Sequence, residues 1–202
     1  MTESAAQLLI LSAPSGAGKT SLAHALVEQL PNTVMSISHT TRERRDGEKE
    51  GLDYYFVDEE KFTKMIESGG FLEHAEVYNY RYGTGRHAVQ ELLESGSNVL
   101  LDIDWQGGQQ VRSVLSDVLS VSILPPSLEE LEQRLRLRAQ DSEETIQRRM
   151  SLALAEMRHC YEADLIVLND DFESALEDLK KILRGRSEQI RPLTIDLQAL
   201  LK

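Results

Sequence analysis

Short apolar runs alternate along the chain with segments that have helical spacing. Continuous runs rich in Leu, Ile and Val are typical of strands that are buried on both faces of a sheet. These runs occupy residues 8–12, 33–38, 98–104, 119–124 and 164–169. Strands that are separated by helices predict an α/β fold with a parallel sheet core flanked by helices.

The segments between these runs repeat apolar residues every three or four positions. Leu22, Leu26 and Leu30 recur in this way before a proline, and the stretch after Asp171 repeats Leu and Ile as far as Gly185. Such spacing places the apolar side chains on one face of a helix, and glycine is a common residue at the end of a helix. We therefore predict helices that pack their apolar faces on the sheet.

Two segments depart from this alternation. Residues 39–90 hold eight of the ten Tyr and Phe residues of the chain together with several glycines. This composition predicts a small inserted subdomain of short strands and turns. Residues 126–157 are strongly helical and rich in arginine.

Charge and composition restrict the class of protein. The chain has 202 residues, 41% of them hydrophobic, and its 22 Lys and Arg against 34 Asp and Glu give a net charge of −12. Such a surface repels nucleic acids and anionic membranes, so neither is expected as a partner, and a bound anion needs a local cluster of cations. A single cysteine excludes an internal disulfide. With no long apolar run and no secretory signal pattern, we expect a cytoplasmic protein.

The residues after the first predicted strand match the phosphate-binding P-loop pattern. They read Ala13, Pro14, Ser15, Gly16, Ala17, Gly18, Lys19 and Thr20, followed by Ser21, with Ala13 at the position where glycine is usual. A glycine-rich turn lets backbone N–H groups face a phosphate, and the next helix adds its positive end. Lys19 would reach the β- and γ-phosphates, and the hydroxyl of Thr20 would bind Mg²⁺. The sequence thus predicts a nucleoside triphosphate site.

Two carboxylates follow the apolar run that begins at residue 98. Asp102 and Asp104 are two positions apart, so on a strand both would point the same way at the carboxyl edge of the sheet. One of them would complete the Mg²⁺ shell, and we assign Asp102 to that role with Thr20. Their spacing alone does not decide which of the two carboxylates binds Mg²⁺.

A P-loop is common to several classes of protein, and the rest of the chain narrows the choice. The chain resembles guanylate kinases of the bacterial type over nearly its whole length. The resemblance is carried by residues 36–48, 51–57, 71–75, 82–84, 101–107, 124–127, 138–149 and 167–171. It implies a P-loop NTPase fold in one domain over residues 1–202. The core would be 1–38, 91–125 and 158–202, with a GMP-binding subdomain at 39–90 and a helical lid at 126–157.

The resemblance also implies an activity and its site. A guanylate kinase transfers the γ-phosphoryl group of ATP to GMP, and we expect dGMP as a further acceptor, with Mg²⁺ accompanying ATP. The residues implied to hold the GMP phosphate are Ser38, Arg42, Arg45, Tyr54 and Tyr82, and those implied to read guanine are Glu73, Thr84 and Asp104. The implied ATP-binding residues are 13–21, the lid residue Arg138, and Asn169 on the adenine side. The implied catalytic residues are Lys19, Arg42, Arg138 and the lid residue Arg149.

Chemistry supports these assignments. A dianionic phosphate in an acidic protein needs guanidinium groups in bidentate reach. A carboxylate at Glu73 can accept hydrogen bonds from N1–H and the 2-amino group of guanine, whereas adenine presents an acceptor at N1 and has no 2-amino group.

Two other functions remain open from the sequence. A related fold without catalysis could serve as a protein-binding module, although the chain keeps Lys19, Arg138 and Arg149. A P-loop kinase that acts on a ribose phosphate is the second alternative, and it would have no need of Glu73 or Thr84. The oligomeric state is also open, with a homo-oligomer among the alternatives.

Overall fold

The computed structural model describes residues 6–77, 79–138 and 142–201, with Arg138 described by its backbone alone. The strands are β1 (Leu8–Ser12), β2 (Thr33–Met35), β3 (Ser38–Thr40), β4 (Tyr55–Phe56), β5 (Phe71–Val77), β6 (Tyr80–Gly85), β7 (Asn98–Asp102), β8 (Val118–Leu124) and β9 (Leu165–Leu168). The helices are α1 (Lys19–Gln29), α2 (Glu59–Glu67), α3 (Arg86–Glu94), α4 (Trp105–Val114), α5 (Leu128–Arg138), α6 (Glu143–Met157), α7 (Phe172–Leu183) and α8 (Leu197–Leu200), with 3₁₀ turns at Arg158–Glu162 and Ser187–Gln189. Among the described helices, none has the length and apolar character to cross a bilayer.

The core is a parallel five-stranded sheet in the order β2-β7-β1-β8-β9. In the central strand, Leu9 and Leu11 pack with helices α1 and α7 on one face, while Leu8 and Ile10 pack with α3 and α4 on the other. Each such buried side chain stabilises the fold by about 1.5–3 kcal/mol. Burial on both faces explains why the strand has no polar alternation, and it confirms the predicted α/β core.

A second sheet follows the core strand β2. Its order is β4-β3-β6-β5, with β3 and β4 parallel and the other pairs antiparallel. The run 33–38, which we predicted as one strand, is divided here, because β2 belongs to the first sheet and β3 to the second. Residues 36–37 join the two sheets.

The second sheet also carries a helix that the composition of this segment did not predict. Helix α2 begins after Asp58, whose side chain accepts a hydrogen bond from the backbone N–H of Lys61 (2.7 Å). Its fully buried Phe62 packs on Phe71 of β5, with ring centroids 4.6 Å apart. An N-cap aspartate followed by two glutamates is a local helix signal, and the many aromatic residues and glycines around it obscured that signal.

The predicted strand 98–104 is shorter in the structure. Strand β7 ends at Asp102, and Asp104 is the N-cap of α4, where its Oδ1 accepts the N–H of Gly107 (2.8 Å). The cap satisfies an N–H group that has no partner within the helix. The expectation that both aspartates project from one strand was therefore wrong.

The arginine-rich segment folds into helices α5 and α6. The buried Leu131 and Leu135 of α5 pack with Ala153 and Met157 of α6. A Cβ placed on Gly16 would lie 3.0 Å from side-chain atoms of both leucines. Helix α5 thus rests directly on the loop that precedes α1.

Candidate active site

The loop between β1 and α1 has the geometry of an anion-binding turn. Gly16 and Gly18 have φ of +93° and +96°, a region that side chains rarely adopt, and the N–H of Ala17 donates to the carbonyl of Pro14 (3.0 Å). Gly18 is the N-cap of α1, so the positive end of an eleven-residue helix faces the loop. Backbone N–H groups and a helix N-terminus together can hold phosphate oxygens.

Asn169, after β9, lies directly behind this loop. Its Nδ2 donates to the carbonyl of Ala17 (2.7 Å), and the side chain is only 4% exposed. A Cβ on Gly18 would come within 2.4 Å of that nitrogen. Arg134 of α5 donates to the carbonyl of Asn169 (3.0 Å) and pairs with Glu130. The side chain of Asn169 therefore supports the loop backbone through its hydrogen bond to Ala17.

Lys19, Thr20 and Asp102 meet at the open end of the sheet. The Nζ of Lys19 lies 2.6 Å from Oδ1 of Asp102 and donates to the carbonyl of Ile103 (3.2 Å). The hydroxyl of Thr20 donates to Oδ2 of Asp102 (3.4 Å). A hydroxyl and a carboxylate at this distance form an oxygen donor set of the kind that Mg²⁺ prefers, so the residues present fit this ion.

A second group of cations lies on the loop after β3. Arg42, only 8% exposed, binds both carboxylate oxygens of Glu48 (2.7 and 3.1 Å). Its guanidinium lies 5.4 Å from the ring centroid of Tyr54, which is 5.9 Å from that of Tyr82. Burial raises the pKa of Tyr54, so its hydroxyl stays protonated and can donate a hydrogen bond. The side chain of Arg45 is exposed beside this group.

A buried carboxylate lies where β5 meets β6. Glu73 is 7% exposed, and its Oε1 accepts a hydrogen bond from the hydroxyl of Thr84 (2.5 Å). A Cβ on Gly107 would lie 3.1 Å from Oε2, so the start of α4 closes over this carboxylate. Burial, and to a lesser extent the charge of Asp104, raise the pKa of Glu73. Asp104 thus lies on the Glu73 side of the cleft and Asp102 on the Lys19 side.

A cavity of about 500 Å³ connects these groups. Its wall includes Thr20 and Asp102 on one side and Ser38, Tyr54 and Thr84 on the other. Ser38 and Thr84 face each other in the register of β3 and β6. The structure therefore brings predicted residues from distant parts of the chain around one space.

Helix α6 contributes two groups at the P-loop. Arg149 donates from Nη2 to the hydroxyl of Ser15 (3.1 Å). Glu156, which we did not single out from the sequence, lies half-buried near Lys19 and the backbone of Ser15, and burial raises the pKa of its carboxyl. The side chain of Arg138 lies outside the described part of the chain.

Glu48 is the second residue of the cleft that sequence reasoning missed. It lies in the same loop as Arg42 and Arg45, so an acidic residue inside a basic segment was the available signal. The spacing alone gave no reason to choose it over the neighbouring Glu43 or Glu50.

The chain is similar to known guanylate kinases over most of its length. The sequence model of the family "Guanylate kinase" matches residues 5–186. A guanylate kinase from Alkalilimnicola ehrlichii is 52% identical over 189 residues, which cover 92% of this chain and 93% of that protein. One from Escherichia coli K12 is 53% identical over 180 residues, which cover 88% and 87%. The crystal structure of guanylate kinase from Anaplasma phagocytophilum superposes with a TM-score of 0.71 at 37% identity, over 98% of this chain and 94% of that one.

The buried charge of Glu73 predicts a stability effect. Because its folded-state pKa is raised above the ordinary 4.5, the native state binds more protons than the unfolded state over that interval, and stability falls as pH rises through it. Glu73→Gln should therefore raise the unfolding temperature at pH 8, and the gain should shrink toward pH 4. Thermal unfolding across this pH range measures the effect.

The matched control is Glu76→Gln, which makes the same charge change at an exposed position of the same strand. We expect it to leave the unfolding temperature nearly unchanged. A Glu73→Gln variant that is less stable than the parent protein at pH 8 would contradict the assignment of a desolvated carboxylate.

Proposed function

We propose which described side chain performs each part of the reaction of this chain, which belongs to the guanylate kinase family and transfers the γ-phosphoryl group of ATP to GMP, giving ADP and GDP. The observation that carries the proposal is one cavity with Thr20 and Asp102 on one side and Ser38, Tyr54 and Thr84 on the other. A donor and an acceptor phosphate must lie in line for transfer, so the two groups of cations have to face one space.

The P-loop end of the cavity receives ATP. Backbone N–H groups among residues 15–18 bind the β-phosphate, and Lys19 moves from Asp102 to the transferring phosphate. Thr20 and Asp102 would hold Mg²⁺, which would neutralise charge on the phosphate oxygens. The hydrogen bond between Thr20 and Asp102 and the position of Asp102 beside Lys19 support this division of roles.

The second sheet receives the acceptor phosphate. Arg42 and Arg45 neutralise its charge, while Ser38, Tyr54 and Tyr82 add hydroxyl groups that donate without adding charge. The burial of Arg42 against the ring of Tyr54 supports a fixed guanidinium plane. A fixed plane orients the phosphate for attack on ATP.

Glu73 and Thr84 select the base. In the free protein the hydroxyl of Thr84 donates to Glu73, and when GMP binds the N1–H and 2-amino groups of guanine donate to the same carboxylate. Asp104 lies on this side of the cleft and adds a second acceptor. AMP would offer the carboxylate no donor from the base and place the N1 acceptor against it, which costs on the order of several kcal/mol.

The helices α5 and α6 act as the lid. Arg149 already touches Ser15 of the P-loop, and we assign Arg149 and Arg138 to the charge that develops on the transferring phosphoryl group. Closure of this segment excludes water, which would otherwise accept the phosphoryl group. The second sheet at 39–90 and the lid at 126–157 are thus proposed as the two mobile parts.

The two other functions considered from the sequence are not favoured. The curated relatives carry the name guanylate kinase at about half identity over most of the chain, which supports catalysis on GMP over a protein-binding module or a ribose phosphate kinase. A phosphoryl-transfer assay with GMP, AMP, CMP, UMP and ribose phosphates as acceptors tests the proposal. The cytoplasmic location, the absence of a nucleic-acid partner and the oligomeric state stay predictions.

Lys19→Met should abolish most of the phosphoryl transfer while GMP still binds. The variant removes the cation that stabilises the transferring phosphate, and such a loss lowers kcat on the order of a hundredfold or more. Steady-state kinetics and GMP calorimetry measure the two effects. Lys64→Met, at an exposed lysine of α2, is the control, and near-normal turnover of Lys19→Met would refute the P-loop assignment.

Glu73→Gln should lower kcat/KM for GMP by roughly 30- to 1,000-fold, the equivalent of about 2–4 kcal/mol. An amide retains one acceptor but turns an N–H toward a guanine donor, and it can instead donate to N1 of adenine. AMP should therefore gain relative to GMP. IMP, which lacks the 2-amino group, should be a poor substrate of the parent protein, and the variant should discriminate less between GMP and IMP. Unchanged GMP:AMP:IMP ratios would place the guanine reader elsewhere.

Asn169→Asp should weaken ATP binding and leave GMP binding unchanged. The two side chains have the same shape, but a carboxylate cannot donate to the carbonyl of Ala17, so the P-loop loses its support at a cost of about tenfold or more in affinity. Asn98→Asp is the matched control, because Oδ1 of Asn98 is an acceptor for the N–H of Gln7 and a carboxylate keeps that bond. Equal ATP affinity in the parent protein and Asn169→Asp would contradict the supporting role.

A further inference from the structure

The carboxylate of Glu48 lies at the centre of the basic loop and contacts both arginines. Its Oε1 accepts from Nη2 of Arg42 (2.7 Å), and its Oε2 accepts from Nη1 of Arg42 (3.1 Å) and from the backbone N–H of Arg45 (2.8 Å). The backbone N–H of Glu48 in turn donates to the carbonyl of Arg45 (3.2 Å). One acidic side chain thus links the two cations and closes the turn between them.

Glu48 and Glu43 contact one side of the Arg42 guanidinium. Glu48 takes the outer pair of donors, Nη1 and Nη2, and the carbonyl of Glu43 accepts the second hydrogen of Nη1 (2.8 Å). The guanidinium also hydrogen-bonds the side chain of Tyr82, another residue implied to hold the GMP phosphate. Nε–H and the second N–H of Nη2 form the other edge of the guanidinium; they are parallel, and such a pair matches two oxygens of a phosphate.

The aromatic rings around Arg42 hold its guanidinium in this orientation. Its Cζ lies 5.4 Å from the ring centroid of Tyr54 and 6.0 Å from that of Phe56. The hydrogen bonds from Arg42, and then the one from the backbone of Arg45, hold the pKa of Glu48 below its usual value. Glu48 is therefore ionised at neutral pH and can accept from both arginines there.

Two opposite roles could follow from an acid beside a phosphate-binding arginine. If Glu48 occupied the donors that a phosphate needs, it would compete with GMP, and its removal would tighten binding. The donor geometry favours the other role, because Glu48 uses the outer pair of N–H groups and leaves the Nε–Nη2 pair directed elsewhere.

We propose that Glu48 is a positioning residue for the acceptor phosphate: it orients the Nε–Nη2 edge of Arg42 toward that phosphate and fixes the turn that carries Arg45. The proposal rests on the assignment of Arg42 to the GMP phosphate. Glu48 itself does not touch the substrate. Its negative charge lowers the net positive charge of the loop, which weakens attraction of the phosphate. The gain in phosphate binding from an oriented guanidinium outweighs that loss.

Glu48→Gln tests this role, because the side chain keeps its shape but turns an N–H group toward a donor of the loop. We expect KM for GMP to rise about tenfold or more, since a misdirected guanidinium loses bidentate contact, with kcat lowered less. KM for ATP and the inhibition constant of guanosine, which has no phosphate, should stay within about twofold of the parent values. Glu48→Asp, which keeps the charge, should fall between the parent protein and Glu48→Gln.

The matched control is Glu50→Gln. Glu50 lies in the same loop, and its Oε2 accepts the backbone N–H of Phe56 (3.0 Å), so this variant makes the same charge change without altering an arginine contact. We expect an unchanged KM for GMP. A KM that falls in Glu48→Gln would show competition, and a KM that stays the same would show no role; either result overturns the proposal.

A double variant separates this proposal from the assignment of Arg42. Arg42→Gln alone should raise KM for GMP, and adding Glu48→Gln should then have a much smaller effect than in the parent protein, because most of the action of Glu48 passes through Arg42. If Arg42→Gln leaves KM unchanged, the assignment of Arg42 fails. If Arg42→Gln raises KM and Glu48→Gln does not, only the positioning role fails.

Discussion

The cleft must hold two highly charged anions in a protein whose own net charge is −12. The structure meets this constraint with a few cations that carboxylates hold in the cleft: Asp102 holds Lys19 until ATP arrives, and Glu48 directs Arg42. A cation held in place before the substrate arrives loses little conformational freedom on binding. The acids therefore do more than add to the negative surface, because they determine where the few positive groups point.

The backbone of the P-loop depends on a similar kind of support. Positive φ at Gly16 and Gly18 lets the loop turn tightly, and the space that their missing side chains leave is filled from outside by Leu131, Leu135 and Asn169. Because α5 belongs to the proposed lid and also packs on this loop, a movement of the lid acts directly on the phosphate-binding turn. This contact provides a physical route between closure and ATP binding.

The P-loop could be predicted from the sequence because all its determinants are contiguous: a strand, a glycine-rich turn, Lys19 and a helix. The pairing of Glu73 with Thr84 depends on the register of β5 and β6, which periodicity does not give, so their roles came from the family resemblance. The break between β2 and β3 was missed because an apolar run does not show which sheet its residues join. The place of Asp104 was missed because a residue that follows a strand can equally cap the next helix, and the contact that sets it is made by Gly107.

The crystal structure of this protein with GMP bound tests most directly whether carboxylates direct the cations of the cleft. The account predicts that Arg42 keeps both oxygens of Glu48 on Nη1 and Nη2 and binds the GMP phosphate through Nε and the remaining hydrogen of Nη2. Arg45 should keep its backbone hydrogen bond to Glu48 in the same complex. An Arg42 side chain that has left Glu48 and meets the phosphate with its Nη1–Nη2 pair would contradict the account.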